Sequence, residues 1–121
     1  MPTNPADIYI YFTRENILEI TLSDYKEYDY VKIGRLDRFG EWHHSDNSGK
    51  MQLIFNDIPI DIHEKIKTVC SSHLGEFIQP FKMSIDGDSI YFCGEIIDYS
   101  IKDNIHIINM YVTSDVLFDE G

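Results

Sequence analysis

The sequence predicts an α+β fold. We expect one domain, residues 1–121, in which a mostly antiparallel, curved β-sheet of about seven strands carries one α-helix packed on a face, in the order ββββαβββ. Apolar and polar residues alternate along most of the chain, which is the period of a half-buried strand. One central stretch has helical spacing instead. Short turns join the strand segments, and this favours antiparallel neighbours.

The predicted helix spans about residues 62–74, within the stretch NDIPIDIHEKIKTVCSSHLG. Asp61 is the predicted N-cap, with Glu64 completing a capping box, and Gly75 is the predicted stop. An apolar stripe recurs along it at helical spacing, formed by Ile62, Ile66, Val69, Cys70 and His73. Such a stripe needs a sheet to pack against.

Four strands are predicted before the helix, in residues 7–12, 17–22, 30–39 and 51–55. The gap between the first two is short, so we expect them to form a hairpin. Gly34 interrupts the alternation of the third strand and predicts a bulge. Residues 23–30, SDYKEYDY, are interpreted as an exposed connection or a polar edge strand.

Three strands are predicted after the helix, in residues 81–85, 90–96 and 105–112. Asp86 and Gly87 form a two-residue hairpin signal, because both tolerate the positive φ that such turns require. The next turn is predicted at residues 100–104. The last strand is apolar on both faces and is therefore predicted to be central. For the end, VLFDEG, a short edge strand and a loose tail are both left open.

The charge balance restricts the class of partner. Twenty-one acidic residues against ten basic ones give a formal net charge of −11. Nucleic acids and anionic membranes are bound through lysine and arginine, so we expect neither as a direct partner. A basic protein would be attracted and its approach steered. Solubility alone is the alternative explanation of the charge.

The N-terminal residues, MPTNPADIY, have neither the positive region nor the apolar core of a signal peptide. No apolar run approaches the roughly 18 residues of a membrane span. We therefore expect a cytoplasmic protein. Cys70 and Cys93 lack metal-ligand spacing, and in that compartment free thiols are expected, with a disulfide between them as the alternative.

The search for catalytic and metal-binding patterns leads to no site. His63 and Glu64 open like the zinc-protease helix motif, but Lys67 stands where the second histidine is required. The adjacent His43 and His44 would point to opposite faces of an extended chain. There is no phosphate-binding loop and no nucleophile elbow. We expect no enzyme activity, no metal and no cofactor.

Carboxylates and aromatic rings stand side by side in two segments of the chain. Carboxylates accept paired hydrogen bonds from arginine, and tyrosine supplies contact area with little entropy to lose. The predicted partner-binding residues are Asp24, Tyr25, Glu27, Tyr28, Asp29, Tyr30, Asp37, Glu41 and Trp42. The alternative for the first six is an edge strand whose solvated acids prevent aggregation.

In its size, its acidic charge and its lack of a catalytic pattern, the whole chain resembles the small immunity proteins that neutralise bacterial toxins, including those of contact-dependent growth inhibition. In that group the acidic inhibitor typically caps the active site of a toxin, often a basic nuclease. The resemblance implies a basic protein toxin, with a nuclease domain, as partner. Two alternatives are a phage-type nucleic-acid mimic and a small ligand-binding or enzymatic α+β domain with its pocket between helix and sheet.

Overall fold

The computed structural model describes residues 5–13, 21–36, 49–70 and 77–120. In chain order the elements are β1 (Ala6–Ile10), α1 (Leu22–Glu27), β2 (Val31–Leu36), β3 (Lys50–Phe55), α2 (Ile60–Val69), β4 (Ile78–Ile85), β5 (Asp88–Lys102), β6 (Ile105–Val112) and β7 (Leu117–Asp119). The strands form one sheet in the order β2-β1-β4-β5-β6-β3, with β7 paired to β5, and all pairs are antiparallel. The predicted α+β class is confirmed, and the sheet curls into a half-barrel.

The curl brings the edge strands β2 and β3 together at Gly34. A Cβ at this position would lie 3.0 Å from Cδ1 of Phe55 and 3.2 Å from the carbonyl oxygen of Asp57, so a side chain would force these neighbours to move. The register between β1 and β2 also changes here, because Ile8 faces Gly34 and the next residue of β1 faces Lys32. The predicted bulge is therefore present beside Gly34.

The predicted hairpin between residues 7–12 and 17–22 is wrong. Along β1, β2 occupies one hydrogen-bonding edge and β4 occupies the other. A strand has two edges, so none remains for a third partner over Asp7 to Ile10. Leu22 begins α1 instead, and residues 14–20 lie outside the described part of the chain.

The later hairpins follow the turn chemistry of the sequence. Asp86 and Gly87 have φ of 50° and 87° and join β4 to β5, as predicted. The next turn lies at Asp103 and Asn104, whose φ values are 53° and 65°. Strand β5 consequently runs through Ser100, where the predicted turn region began, and is 15 residues long. Two successive residues with positive φ make the tight turn that a two-residue hairpin needs.

Strand β5 organises the second half of the sheet. It pairs with β4 on one edge, and with β7 and then β6 on the other. Strand β6 lies between β5 and β3, which confirms its predicted central position. Strand β7 is the short strand considered for the end of the chain.

Helix α2 covers one face of the sheet with the predicted stripe, since Ile62, Ile66 and Val69 are all buried. The predicted N-cap is wrong, because the helix begins after Pro59 and no side chain caps it. The amide of His63 already donates to the carbonyl of Pro59 at 2.9 Å, so Asp61 lies inside the first turn. Cys70 is the C-cap, and the predicted end near Gly75 falls outside the described residues.

Two apolar clusters occupy opposite faces of the sheet, since neighbouring residues of β5 contribute to different clusters. The aliphatic core lies beneath α2 and contains the buried Ile, Leu, Met, Val and Phe side chains. The second, which we call the tyrosine cluster, lies beneath α1. It consists of buried Tyr25, Tyr91 and Cys93 with partly buried Leu22, Tyr28, Tyr30, Ile78 and Leu117.

Candidate functional site

Helix α1 starts with a capping box. The Thr21 hydroxyl accepts from the Asp24 amide at 3.2 Å, while the Asp24 carboxylate accepts from the Thr21 amide at 3.0 Å and from its hydroxyl at 2.8 Å. The helix is only six residues long, so its own propensity cannot sustain it. Burial of Tyr25 against the sheet supplies the remaining stability. Residues 22–27 are therefore neither an edge strand nor an exposed connection.

Tyr25 attaches α1 to the sheet. Its ring stacks on Tyr91 with centroids 5.7 Å apart, and its hydroxyl lies 3.2 Å from both Cys93 Sγ and Ser114 Oγ. Burial first, and then the hydrogen bond with Cys93, raise the pKa of Tyr25 above its ordinary value. Only 1% of Tyr25 is exposed, so this predicted partner-binding residue packs inside the protein and does not face a partner.

The remaining tyrosines continue from the cluster to the surface. Tyr30 lies 6.2 Å from Tyr91 and 6.3 Å from Tyr28, and Tyr28 stacks on Tyr11 with centroids 4.7 Å apart and planes 13° from parallel. The Tyr30 hydroxyl is buried and, within the described residues, meets no hydrogen-bond partner. Burial, followed by the nearby Tyr91, raises the pKa of Tyr30. An unsatisfied buried hydroxyl is uncommon in folded proteins.

The carboxylates of this segment divide into two kinds. Asp24 is used by the cap, and hydrogen bonds from the backbone and then the hydroxyl of Thr21 hold its pKa below the usual value. Glu27 and Asp29 are exposed, and neither has an ion-pair partner in the part of the chain that the structure describes. Lys26, the lysine of α1, binds Asp119 at 3.1 Å. Two acids without an ion-pair partner among the described residues thus flank Tyr28, which stacks on Tyr11.

We define the α1 surface as Tyr11, Glu27, Tyr28, Asp29 and Tyr30. It retains four of the nine predicted partner-binding residues and adds Tyr11, which the sequence placed only within the predicted strand of residues 7–12. The alternation of residues 7–12 could predict the strand that carries Tyr11. It could not predict the stack, because the partner ring, Tyr28, comes from another segment of the chain. Asp37, Glu41 and Trp42 lie outside the described residues, so their role stays a prediction.

A polar network between α2 and the β5–β6 hairpin was also missed. Tyr99 Oη lies 2.8 Å from His63 Nδ1 and 2.6 Å from His106 Nδ1. One phenol proton satisfies only one of these nitrogens, so the other imidazole donates its N–H to the phenol oxygen. Burial, and then Cys70 and Asp57, raise the pKa of Tyr99. The three residues come from three elements, so no sequence spacing announces them.

The thiols are unsuited to nucleophilic chemistry. Cys70 and Cys93 are both free. Burial, and then the negative charge of Asp98, raise the pKa of Cys70 to about 11, and burial also raises that of Cys93. Both thiols therefore stay protonated near neutral pH. Among the described residues, no group of three or more His, Cys, Asp and Glu is placed to hold a metal ion.

Two cavities bear on the ligand-binding alternative. One of about 240 Å³ lies between Phe12, Thr13 and α2, which is below the roughly 300–1,000 Å³ of small-molecule sites. Another, of about 420 Å³, lies on the sheet face away from the aliphatic core. Its polar side chains bond to one another, because Gln52 donates to Asn109 at 3.0 Å and Asn109 donates to Asp98 at 3.1 Å. A ligand would have to compete with these bonds.

No family model, no curated protein and no solved structure matches this chain. Among the described helices, none is both long enough and apolar enough to cross a membrane.

Proposed function

We propose that this protein is an immunity-type inhibitor, an antitoxin that acts in the bacterial cytoplasm and neutralises a basic protein toxin of the nuclease class. The proposed contact is the α1 surface. One observation carries the proposal: Glu27 and Asp29 are exposed without an ion-pair partner among the described residues, beside stacked tyrosines, in a chain with a net charge of −11.

The two kinds of residue serve different steps of binding. Exposed carboxylates attract a basic partner from a distance, and this raises the association rate in a salt-dependent manner. Tyrosines bury large area with few rotatable bonds, and they are enriched among the residues that dominate binding energy. The carboxylates therefore control association and the rings control dissociation.

The first experiment compares two pairs of charge-removing substitutions. The partner is co-purified from native cells with the tagged protein, and its binding kinetics are measured over a range of salt. Glu27→Gln with Asp29→Asn should slow association at low salt, and the difference should fade as salt increases. The control, Asp61→Asn with Glu64→Gln, removes the same charge from exposed residues of α2 on the opposite face.

Equal association rates for the two pairs would reject the α1 surface as the electrostatic contact. A growth-protection assay in cells that produce the partner tests the inhibitory role directly. Full protection by the variant with Glu27→Gln and Asp29→Asn, together with salt-independent association, would contradict the electrostatic mechanism. Failure to recover any protein partner, with turnover of a small molecule, would favour the enzyme alternative.

A second substitution tests the aromatic contact. Tyr28→Ala should weaken binding by about 2 kcal/mol or more if the ring is a dominant contact, mainly through faster dissociation. Tyr9→Ala is the control, because Tyr9 is also partly buried but lies beneath Lys82 of the same chain. Unfolding curves of both variants separate lost binding from lost structure. Equal dissociation rates would exclude Tyr28 from the interface.

A further inference from the structure

Three side chains with metal-ligating atoms meet in the polar network between α2 and the β5–β6 hairpin. Tyr99 Oη lies 2.8 Å from His63 Nδ1 and 2.6 Å from His106 Nδ1. The three residues come from three elements, since His63 lies on α2, Tyr99 on β5 and His106 on β6. Each of them is only partly buried, which leaves the cluster open to solvent. Imidazole nitrogens and phenol oxygens are both known ligands of transition metals.

The separations between these donor atoms are close to those around a single metal ion. A nitrogen and an oxygen that bind one ion at right angles, each at about 2.0 Å, lie about 2.9 Å from each other. Both Nδ1–Oη distances are near this value. Two imidazoles on opposite sides of one ion have ring centroids roughly 6 Å apart. The His63 and His106 centroids are 6.5 Å apart, so the cluster resembles two imidazoles that face each other across an ion, with the phenol between them.

The hydrogen bonds of the cluster use the same lone pairs that would bind an ion. In the hydrogen-bonded arrangement, the phenol donates to one Nδ1 and the other imidazole donates its N–H to the phenol oxygen. An ion replaces these protons: the phenol proton passes to water, and each imidazole keeps its proton on Nε2. The exposed carboxylate of Asp57 acts on Tyr99 through its charge, and this negative charge favours a cation at the cluster.

We propose that His63, Tyr99 and His106 bind one divalent transition-metal ion of the nickel or copper type. These two metals suit the right angles between the donors, because both adopt square-planar or tetragonal geometry with nitrogen and oxygen ligands. Magnesium and calcium prefer sites made of oxygen ligands. The ion fastens the start of α2 to the β5–β6 hairpin, so it stabilises the folded chain. This inference does not depend on the proposed function.

The test titrates the full chain, freed of metal by a chelator, with Ni²⁺. This ion is the probe because, unlike Cu²⁺, it does not oxidise free thiols, and both cysteines are free. One ion should bind per chain in calorimetry, raise the melting temperature, and change the NMR signals of His63, Tyr99 and His106 before those of other residues. Mg²⁺ at the same concentration should have none of these effects. No binding of Ni²⁺, or signal changes confined to other residues, would overturn the inference.

Substitutions distinguish this site from the other histidines of the chain. His106→Gln and Tyr99→Phe should each weaken Ni²⁺ binding by about tenfold or more, since loss of a ligand costs at least as much as loss of an outer partner. Tyr99→Phe keeps the ring, so it tests the site even if His106→Gln does not fold. The control variant replaces the remaining three histidines, His43, His44 and His73, with glutamine and should bind as the wild type does. Unchanged affinity in Tyr99→Phe, or lost binding in the control, would overturn the inference.

Discussion

The two faces of the sheet use opposite strategies of packing. The aliphatic core is made of side chains without hydrogen-bonding atoms, apart from the polar groups at its margins. The tyrosine cluster buries phenols and a thiol, each of which needs a partner once water is removed. Tyr25 finds partners in Cys93 and Ser114, whereas the Tyr30 hydroxyl finds none among the described residues.

The comparison assigns stability mainly to the aliphatic core and the proposed recognition of a partner to the tyrosine cluster. Apolar burial is non-directional, so the aliphatic core needs only the correct period and volume. Phenol burial is directional, and it stabilises only where geometry supplies a donor or an acceptor. Among the described residues, the face that carries α1 therefore contains a buried hydroxyl without a hydrogen-bond partner, and this is the face of the proposed contact.

The largest expected effect belongs to the aliphatic core. Ile66 is 0% exposed beneath α2, so Ile66→Ala should lower the free energy of unfolding by about 2–5 kcal/mol. Lys67→Ala, one residue along on the exposed side of α2, is the control and should change it much less. Urea denaturation measures the free energy of unfolding of both variants. Equal midpoints with unchanged slopes would show that the buried face of α2 is misplaced.

Alkaline pH should act mainly on the tyrosine cluster. Tyr25 and Tyr30 have a raised pKa in the folded state, so above about pH 10 the unfolded chain loses phenol protons that the folded chain keeps. The contribution of these two phenols to stability should therefore be constant below that pH and should decrease above it, by about 1.4 kcal/mol per pH unit for each group. Cys70, with a pKa of about 11, adds to the fall from about pH 9.

Urea midpoints measured from neutral to strongly alkaline pH test this. Tyr25→Phe and Tyr30→Phe should each reduce the slope, while Tyr9→Phe, at a ring that lies outside the cluster and beneath Lys82, serves as control. A slope above pH 10 that neither substitution changes would contradict the assignment to the cluster.

A smaller effect is expected from the satisfied phenol. Tyr25→Phe keeps the ring on Tyr91 but removes the hydroxyl that contacts Cys93 and Ser114. The free energy of unfolding should fall by about 1 kcal/mol, the usual value for a hydrogen bond. Chemical denaturation near neutral pH measures it. A wild-type midpoint would mean that these contacts contribute nothing.

The smallest effect is expected from the unsatisfied phenol, and its sign is the informative part. Tyr30→Phe removes a buried hydroxyl that has no partner among the described residues, so stability should stay equal or increase by up to about 1 kcal/mol. The same denaturation series applies. A loss as large as that of Tyr25→Phe would show that Tyr30 Oη is satisfied in solution, and the contrast between the two phenols would disappear.

Short-range patterns predicted much of the fold. The stripe of α2, the hairpin at Asp86 and Gly87, and the positions of the other strands, apart from the one predicted at residues 17–22, follow from periods and turn chemistry that involve neighbours in the chain. The wrong prediction of Asp61 as the N-cap of α2 also concerns neighbours in the chain. Pro59 suits a helix start, and the helix begins there without the carboxylate cap expected from Asp61.

Helix α1 was missed although its cap is visible. Thr21 followed three residues later by Asp24 is a capping pattern, but the alternating tyrosines and acids after it favoured an extended interpretation. Six residues are too few for local propensity to decide. The helix exists because Tyr25 finds a buried position against Tyr91, which lies far away in the chain.

Composition, period and turn residues determined the α+β class, the buried face of α2 and the acidic character, because each depends on residues that are close in sequence. The tertiary structure decided the strand order, the curl at Gly34, and which tyrosines and carboxylates share a surface. These depend on long-range pairing, and a one-dimensional pattern does not state which edges meet. Tyr25 and Tyr28 have the same side chain and stand three residues apart, yet Tyr25 is buried against Tyr91 whereas Tyr28 is only partly buried and stacks on Tyr11.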